Sequence, residues 1–408
     1  MAADAQQMVI VGAGMAGTRA AAMLREEGFA GRIVLISSDT AQPYDHVPLS
    51  KNYLRDQPGY HQLFLHEPAF YREQDIDLRL DTTVDAIDTA AHRITLAAGG
   101  DIAYDKLLLA TGSHNRRLRL PGADLEGILS LRTLAEADRL KAALAHGGRL
   151  VVVGAGFVGC EVAASARQLG LDVTLVGRGE LPMQVLGPVG AAYYRDVHEA
   201  HGVRLCMPAA VSEFRGAAGR VRSVVLSDGT ELPADVVMVG VGALPNVQLA
   251  AEAGLPVDDG VITDETLAAG VAGVYAAGDV AAVRYPALAR PLRIEHFATA
   301  RSQGRTAARN MLGRGIPHRA VPFFFSDQYD VWMEYTGLSA DSTDVCIRGE
   351  VADDRFVVFW LRGDTLVAAM NINIRGVPEI VTPWIAAGTP VDRAALVDAE
   401  ADLAQATA

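Results

Sequence analysis

Apolar residues in this chain come in short runs that end in glycine. Val9, Ile10 and Val11 are followed by Gly12, Gly14 and Gly17, spaced G-x-G-x-x-G. An alanine-rich stretch over 18–28 has helical character, and a second apolar run, 32–36, leads to Ser38 and Asp39. The pattern predicts strand, tight turn, helix, strand: one complete βαβ unit. The theme returns at 149–159, where Leu150–Val153 run into Gly154, Gly156 and Gly159. A helix over 160–169 and a strand over 172–176 complete a second unit.

The rest of the chain reads around these two units. Alternating apolar positions over 76–96, among them Val84, Ile87, Ile94 and Leu96, predict small strands. Residues 104–112 form a buried strand ending in Ala110, Thr111 and Gly112. Arg132 precedes a helix over 133–145 whose first turn holds Glu136 and Asp138, acids suited to a helix N-terminus. Ser227-Asp228-Gly229 predicts a hairpin. Two further strands end at Gly242 and at Gly278-Asp279, and a helix follows Phe297. From Pro322 the chain turns aromatic. Apolar runs at 345–347, 356–360 and 366–371 predict an antiparallel meander broken at Arg362-Gly363-Asp364, with a helical tail from Val377.

The glycine spacing carries chemistry. The first glycine permits the turn, the second lets the backbone approach a pyrophosphate, and the third lets helix and strand pack closely. The helix N-terminus adds unpaired N–H groups and a positive dipole for the phosphates. Asp39, or Ser38 beside it, stands where a side chain bonds a ribose hydroxyl. Two such units imply two dinucleotides, and two dinucleotides imply electron or hydride transfer between them. The second unit ends in Gly177-Arg178-Gly179-Glu180, with no carboxylate at Gly177 to repel a 2′-phosphate. Arg178 reads equally as a partner for that phosphate or as a solvated loop arginine, so NADH, NADPH or both can be the donor. Asp279 reads as a ribitol ligand, as a helix N-cap, or as both. Lys51, in the proline-rich loop 43–51 that leads into a helix, reads as a flavin-reaching lysine or as a solvated one.

Composition narrows the class. The chain has 408 residues, half of them apolar, with 40 glycines, which suits an α/β protein of two or three domains. Its net charge of −13 argues against non-specific nucleic-acid binding. The stretch Met1–Gln7 has no basic region of the kind a secretory signal carries, and no apolar run is long enough to span a membrane. Three cysteines, Cys160, Cys206 and Cys346, lie far apart and suit a reducing cytoplasm. Residues 34–80 contain none, so neither a redox-active cysteine pair nor a single catalytic cysteine follows the first βαβ unit. No metal-ligand pattern is seen.

The whole pattern resembles the FAD-dependent, NAD(P)H-linked ferredoxin reductases of Rieske oxygenases and bacterial cytochromes P450, the putidaredoxin-reductase type, within the glutathione-reductase-like superfamily. Residues 43–51, 110–112, 154–161, 278–279, 295–297 and 326–328 carry the likeness. It implies an α/β fold: two Rossmann-like dinucleotide-binding domains, an FAD domain (1–115 and 245–320) split by an inserted NAD(P)H domain (116–244), plus a small α+β C-terminal domain (321–408). It implies FAD as cofactor, with Gly12, Gly14, Ala16 and Gly17 on its pyrophosphate. The loop of Pro48 and Lys51, Val84, Ala110–Gly112, Arg132, Gly278 and Asp279 would lie around the rest of it. Glu295, His296, Phe297 and Phe325 would pack at the isoalloxazine. Gly154, Gly156, Gly159 and Gly242 would hold the nicotinamide coenzyme. Lys51 and Glu161 would pair beside the reacting flavin atom.

The implied partner is an acidic 2Fe-2S ferredoxin docking near Arg301 and Arg305, which with Arg309 share one side of a helix. No nucleic acid or membrane is expected, and the oligomer would be a monomer or homodimer. Family members often have Arg-Pro where this chain has His46-Val47, and tryptophan where it has Phe297 and Phe325. Rival functions are a two-electron reductase of a quinone or monodehydroascorbate, an NAD(P)H oxidase, and an apoptosis-inducing-factor-like interaction flavoprotein.

Overall fold

The computed structural model describes residues 6–57, 63–285 and 291–407. Most of the Met1–Gln7 stretch, residues 1–5, lies outside them. The chain divides into two compact units, each assembled from separate segments.

The first unit is Met1–Asp45, His61–His114 and Leu244–Pro322. Its core is a five-stranded parallel sheet in the order Val274–Ala276, Lys106–Leu109, Gln7–Val11, Arg32–Ile36, Ile76–Arg79. Val9 sits opposite Val34 on one side and Leu107 on the other. The three central strands are almost wholly buried, which is why they read as continuous rather than alternating apolar runs. Ile76–Arg79, expected among the small strands, belongs to this parallel sheet. The small strands proper, Val84–Asp88, Arg93–Leu96 and Asp101–Ala103, form a separate antiparallel sheet. Helix Met15–Glu26 packs against helix Phe297–Met311. The approach is close: a Cβ added at Gly304 would lie 2.3 Å from the Ala16 carbonyl oxygen.

The second unit is His46–Tyr60, Asn115–Ala243 and Phe323–Ala408. It repeats the theme with a parallel sheet ordered Arg204–Cys206, Asp172–Val176, Arg149–Val153, Val236–Val239, Ile128–Leu129. Helix Leu134–Leu144 opens with a complete capping box, Thr133 and Glu136 each bonding the other's backbone N–H. The hairpin at 227–229 joins Arg220–Leu226 to Glu231–Pro233. The C-terminal segment is a five-stranded antiparallel sheet, ordered Phe323–Gln328, Val331–Gly337, Thr365–Ile372, Arg355–Arg362, Asp344–Glu350, followed by helix Val377–Ala387.

Both βαβ helices begin about three residues before the sequence pattern places them, at Met15 and Phe157, because Gly14 and Gly156 are themselves the N-caps. The proline-rich loop carries only a 3-10 turn, Val47–Ser50, and not a regular helix. No helix among the described residues is long and apolar enough to cross a membrane.

Candidate functional site

Each βαβ unit builds a backbone cradle. In the first, Gly12 has φ of +108°, and a Cβ there would lie 2.1 Å from the Ala110 carbonyl oxygen. Its N–H donates to the Ile36 carbonyl at 2.8 Å, which closes the turn. A Cβ at Gly17 would lie 1.9 Å from the Gly12 oxygen. Gly14 differs: nothing lies within 4 Å of an added Cβ. No side chain caps the helix that starts there, and its first turn holds no acid. Uncapped N–H groups, a positive helix end and open space at one glycine are what a pyrophosphate needs. The second cradle has the same build at Gly154, Gly156 and Gly159, again with open space at the middle glycine and an uncapped, acid-free helix. These residues fit two dinucleotides.

Around the first cradle, Gly278 N–H donates to Gln303 Oε1 at 2.8 Å, and a Cβ at Gly278 would lie 3.0 Å from that of Ala16. Asp279 accepts from Ser113 Oγ at 2.9 Å. No helix starts at Asp279. The N-cap of the following helix is His296, so the N-cap reading of Asp279 is set aside. Thr111 Oγ1 donates to the Asn246 carbonyl, and Asn246 Nδ2 returns a bond to the Thr111 carbonyl. Asp39 is held in its own loop, accepting from Ala41 N–H at 3.0 Å and Tyr44 Oη at 2.9 Å, while Ser38 is exposed. Val84 is buried in the small antiparallel sheet. Glu295 pairs with Arg293. Burial pushes His296 down to about 4 against a pull from Asp279.

The second unit brings together the pair that the resemblance implied. Lys51 Nζ lies 2.9 Å from Glu161 Oε1, with both side chains almost wholly buried. The carboxylate also accepts from Ser326 Oγ at 2.7 Å and from Ser50 Oγ. Ser165 Oγ donates to the Ser50 carbonyl at 2.8 Å and fixes that turn. Lys51 Nζ stands 5.5 Å from the centroid of the Phe325 ring, within cation–π range. Pro48 is buried in the same 3-10 turn, and half-buried Arg132 directly precedes the Thr133 cap. Cys160, next to Glu161, is fully buried; burial pushes its thiol well up, and it serves as packing.

At the end of Asp172–Val176, a Cβ on Gly177 would lie 2.7 Å from Met207 Cε and 2.9 Å from Ala155 Cβ. Arg178 is exposed and makes no hydrogen bond or ion pair among the described residues. Gly242 has open space around its Cα. A separate cavity of about 300 Å³ holds Arg116, Arg117 and Arg139 over an apolar floor that includes Phe214; none of the expected cofactor residues lines it.

Two residues in these arrangements escape a sequence reading. Ser113 and Gln303 sit in no recognisable short motif. Their partners lie 25 to 166 positions away along the chain.

Residues 6–304 match the family model described as pyridine nucleotide-disulphide oxidoreductase. The chain belongs to this family. Residues 323–407 match a second model, the reductase C-terminal domain. Rhodocoxin reductase of Rhodococcus erythropolis is 39% identical over 367 residues, covering 90% of this chain and 86% of that one. The ferredoxin–NAD(+) reductase component of the anthranilate 1,2-dioxygenase system of Burkholderia cepacia is 39% identical over 400 residues, covering 97% and 98%. The crystal structure of a covalent putidaredoxin reductase–putidaredoxin complex matches with a TM-score of 0.92 at 34% identity, covering 96% of each chain. The family's fold is the one expected, with two Rossmann-like sheets and an antiparallel C-terminal sheet.

Proposed function

We propose that this oxidoreductase passes electrons from NAD(P)H through FAD to a 2Fe-2S ferredoxin that feeds an oxygenase or cytochrome P450. The observation that carries the reading is the pair of open, uncapped glycine cradles, one in each unit. The named relatives support the acceptor. FAD would be held by the 1–115 and 245–320 segments, at Gly12, Gly14, Ala16, Gly17, Ala110–Gly112, Gly278 and Asp279. The coenzyme would be held by 116–244, at Gly154, Gly156, Gly159 and Gly242. The bound flavin supplies the step from a two-electron donor to a one-electron acceptor.

The chain's own residues position and tune. Phe297 and Phe325 offer aromatic faces. Glu161 holds Lys51 in place, and the Ser50 and Ser326 hydroxyls, donating to its carboxylate, hold the orientation of the pair. No side chain acts as a nucleophile; orientation carries the chemistry. Reduced, widely separated cysteines support a cytoplasmic setting.

Docking falls to the helix Phe297–Met311. Arg301, Arg305 and Arg309 run along one side, and Arg19 of the neighbouring helix adds to the positive field on Arg305. Arg309 is tied to Glu27 at 2.7 Å and is a structural pair. Arg305 Nε has no hydrogen-bond partner among the described residues.

The purified protein should be yellow with one FAD per chain, and bleached by NADH or NADPH without added thiol. It should then reduce a ferredoxin faster than quinone or oxygen. Absence of flavin absorbance after FAD addition overturns the reading. Faster turnover with quinone or oxygen makes it a small-molecule reductase or an oxidase.

A further inference from the structure

A buried polar string in the second unit lies beyond the groups used above. His198, on helix Gly187–Ala200, is fully buried. Its Nε2 lies 2.9 Å from Gln328 Oε1. Gln328 Nε2 reaches Ser326 Oγ at 3.1 Å and Met183 Sδ at 3.3 Å. Ser326 Oγ in turn reaches Glu161 Oε1 at 2.7 Å. At the other end, Tyr329 Oη lies 3.3 Å from His198 Nδ1, and His201 stacks on the Tyr329 ring with centroids 3.7 Å apart.

The direction of every bond is set by what each group can do. The Glu161 carboxylate, paired with Lys51, only accepts, so Ser326 donates to it. The Ser326 oxygen then receives the Gln328 amide. The Gln328 carbonyl faces His198 Nε2, which must carry the proton. Burial, with His201 nearby, pushes the His198 pKa down to about 4, although the bond to Gln328 works the other way. The ring is therefore neutral, and Nδ1 is a bare acceptor that takes the Tyr329 hydroxyl. All four donors point toward Glu161.

A string polarised one way through an amide does not pass protons, because a carboxamide has no proton to hand on without losing its own bond. What it does is aim dipoles at a fixed negative charge, each bond strengthening the next. A second observation points to the same purpose. Tyr329 has φ of +58° in the two-residue turn between Phe323–Gln328 and Val331–Gly337. Glycine or asparagine suits that position, and a bulky residue held there is strained.

We propose that His198, Gln328 and Tyr329 are positioning residues that hold the Glu161 carboxylate in register with Lys51. The proposal rests on the reading that the Lys51–Glu161 pair serves the reductive step.

The test has two readouts on the intact holoprotein. The first is the ¹⁵N spectrum of His198, which should show the neutral Nε2–H tautomer at pH 7. An imidazolium or an Nδ1–H ring overturns the proposal. The second is stopped-flow reduction by NAD(P)H. His198→Leu should slow reduction about tenfold with coenzyme affinity unchanged within about twofold. His198→Gln, whose amide N–H reaches the same Gln328 oxygen, should restore most of the rate. A wild-type rate in His198→Leu, or no recovery in His198→Gln, overturns it. If His198→Leu does not fold, Tyr329→Phe at the half-buried turn carries the test. Loss of the outer donor should keep the Nε2–H tautomer, move the Nδ1 resonance as its bond is lost, and slow reduction by NAD(P)H severalfold; a wild-type rate overturns the proposal. The tautomer is read whether or not the protein reduces a ferredoxin, so failure here is distinct from failure of the proposed function.

Discussion

Two glycines two positions apart illustrate how differently one residue type can be constrained. Gly12 is needed by the fold: its φ is left-handed and any Cβ would strike the Ala110 backbone. At Gly14 the fold asks nothing of the kind, since a side chain there meets open space, so only the proposed FAD would require glycine. Gly12→Ala should destabilise the apoprotein by about 3 kcal/mol or more, read by thermal melting. Gly14→Val should leave the apoprotein melt near wild type and abolish FAD retention on a desalting column. Coenzyme choice, as proposed, also belongs to the residue scale. Gly177 has no room for an acid, and Arg178 stands free beside it. NADPH should be used at a rate within about tenfold of NADH, and Arg178→Glu should raise the KM for NADPH alone. Equal losses with both coenzymes would show that Arg178 does not read the phosphate. The glycine cradles were legible because their spacing is local. The contacts that Ser50, Ser326 and the His198–Gln328 pair make around Glu161 were not, since they span 111 to 165 positions with no periodic signal.

Among elements, the parallel strands were the most readable. Asp172–Val176 is bounded by Gly170 and Gly177 and lies where the apolar run places it. Helix starts were less so, because Met-Ala-Gly and Phe-Val-Gly after the cradle show no helical periodicity of their own. Lys51 closes a 3-10 turn, Val47–Ser50, for a related reason: Pro48 sits at its start, but no amphipathic run follows to extend it. The helix Phe297–Met311 presents a different consequence. Its arginines are tied at the Arg309 end by Glu27, and around Arg305 the field of Arg19, Arg301 and Arg309 is set, among the described residues, against Glu26 alone. Arg305→Glu should lower ferredoxin reduction severalfold at low ionic strength, with NAD(P)H–ferricyanide turnover intact. The deficit should shrink as salt is added. If both acceptors slow equally, the residue belongs to the flavin site or the fold.

For the molecule as a whole, acid is the expected weakness. His198, His296 and His318 are each held neutral by burial, with pKa values pushed down to about 4. Unfolded histidine titrates near 6.5, so below that pH the unfolded chain binds protons that the native protein refuses. Stability is full above about pH 6.5 and falls progressively toward pH 4, by on the order of 2–3 kcal/mol for each histidine. Melting temperature should drop between pH 7 and pH 5, and both units should feel it, since His198 belongs to one and His296 and His318 to the other. A flat profile over that range would mean that these rings are charged in the native state.

The threading of the chain bears on its birth at the ribosome. Each unit is built from three separated segments, and neither is complete until late in translation. The first parallel sheet waits for its last strand, Val274–Ala276, and helix Met15–Glu26 waits for its covering helix, Phe297–Met311. While residues 110–273 are made the nascent chain therefore displays an unpaired sheet edge, and while residues 27–296 are made it displays a bare apolar helix face. These are surfaces that invite premature association. Neither unit can close before its last segment emerges, so the yield in a cell should depend on how well that interval is shielded.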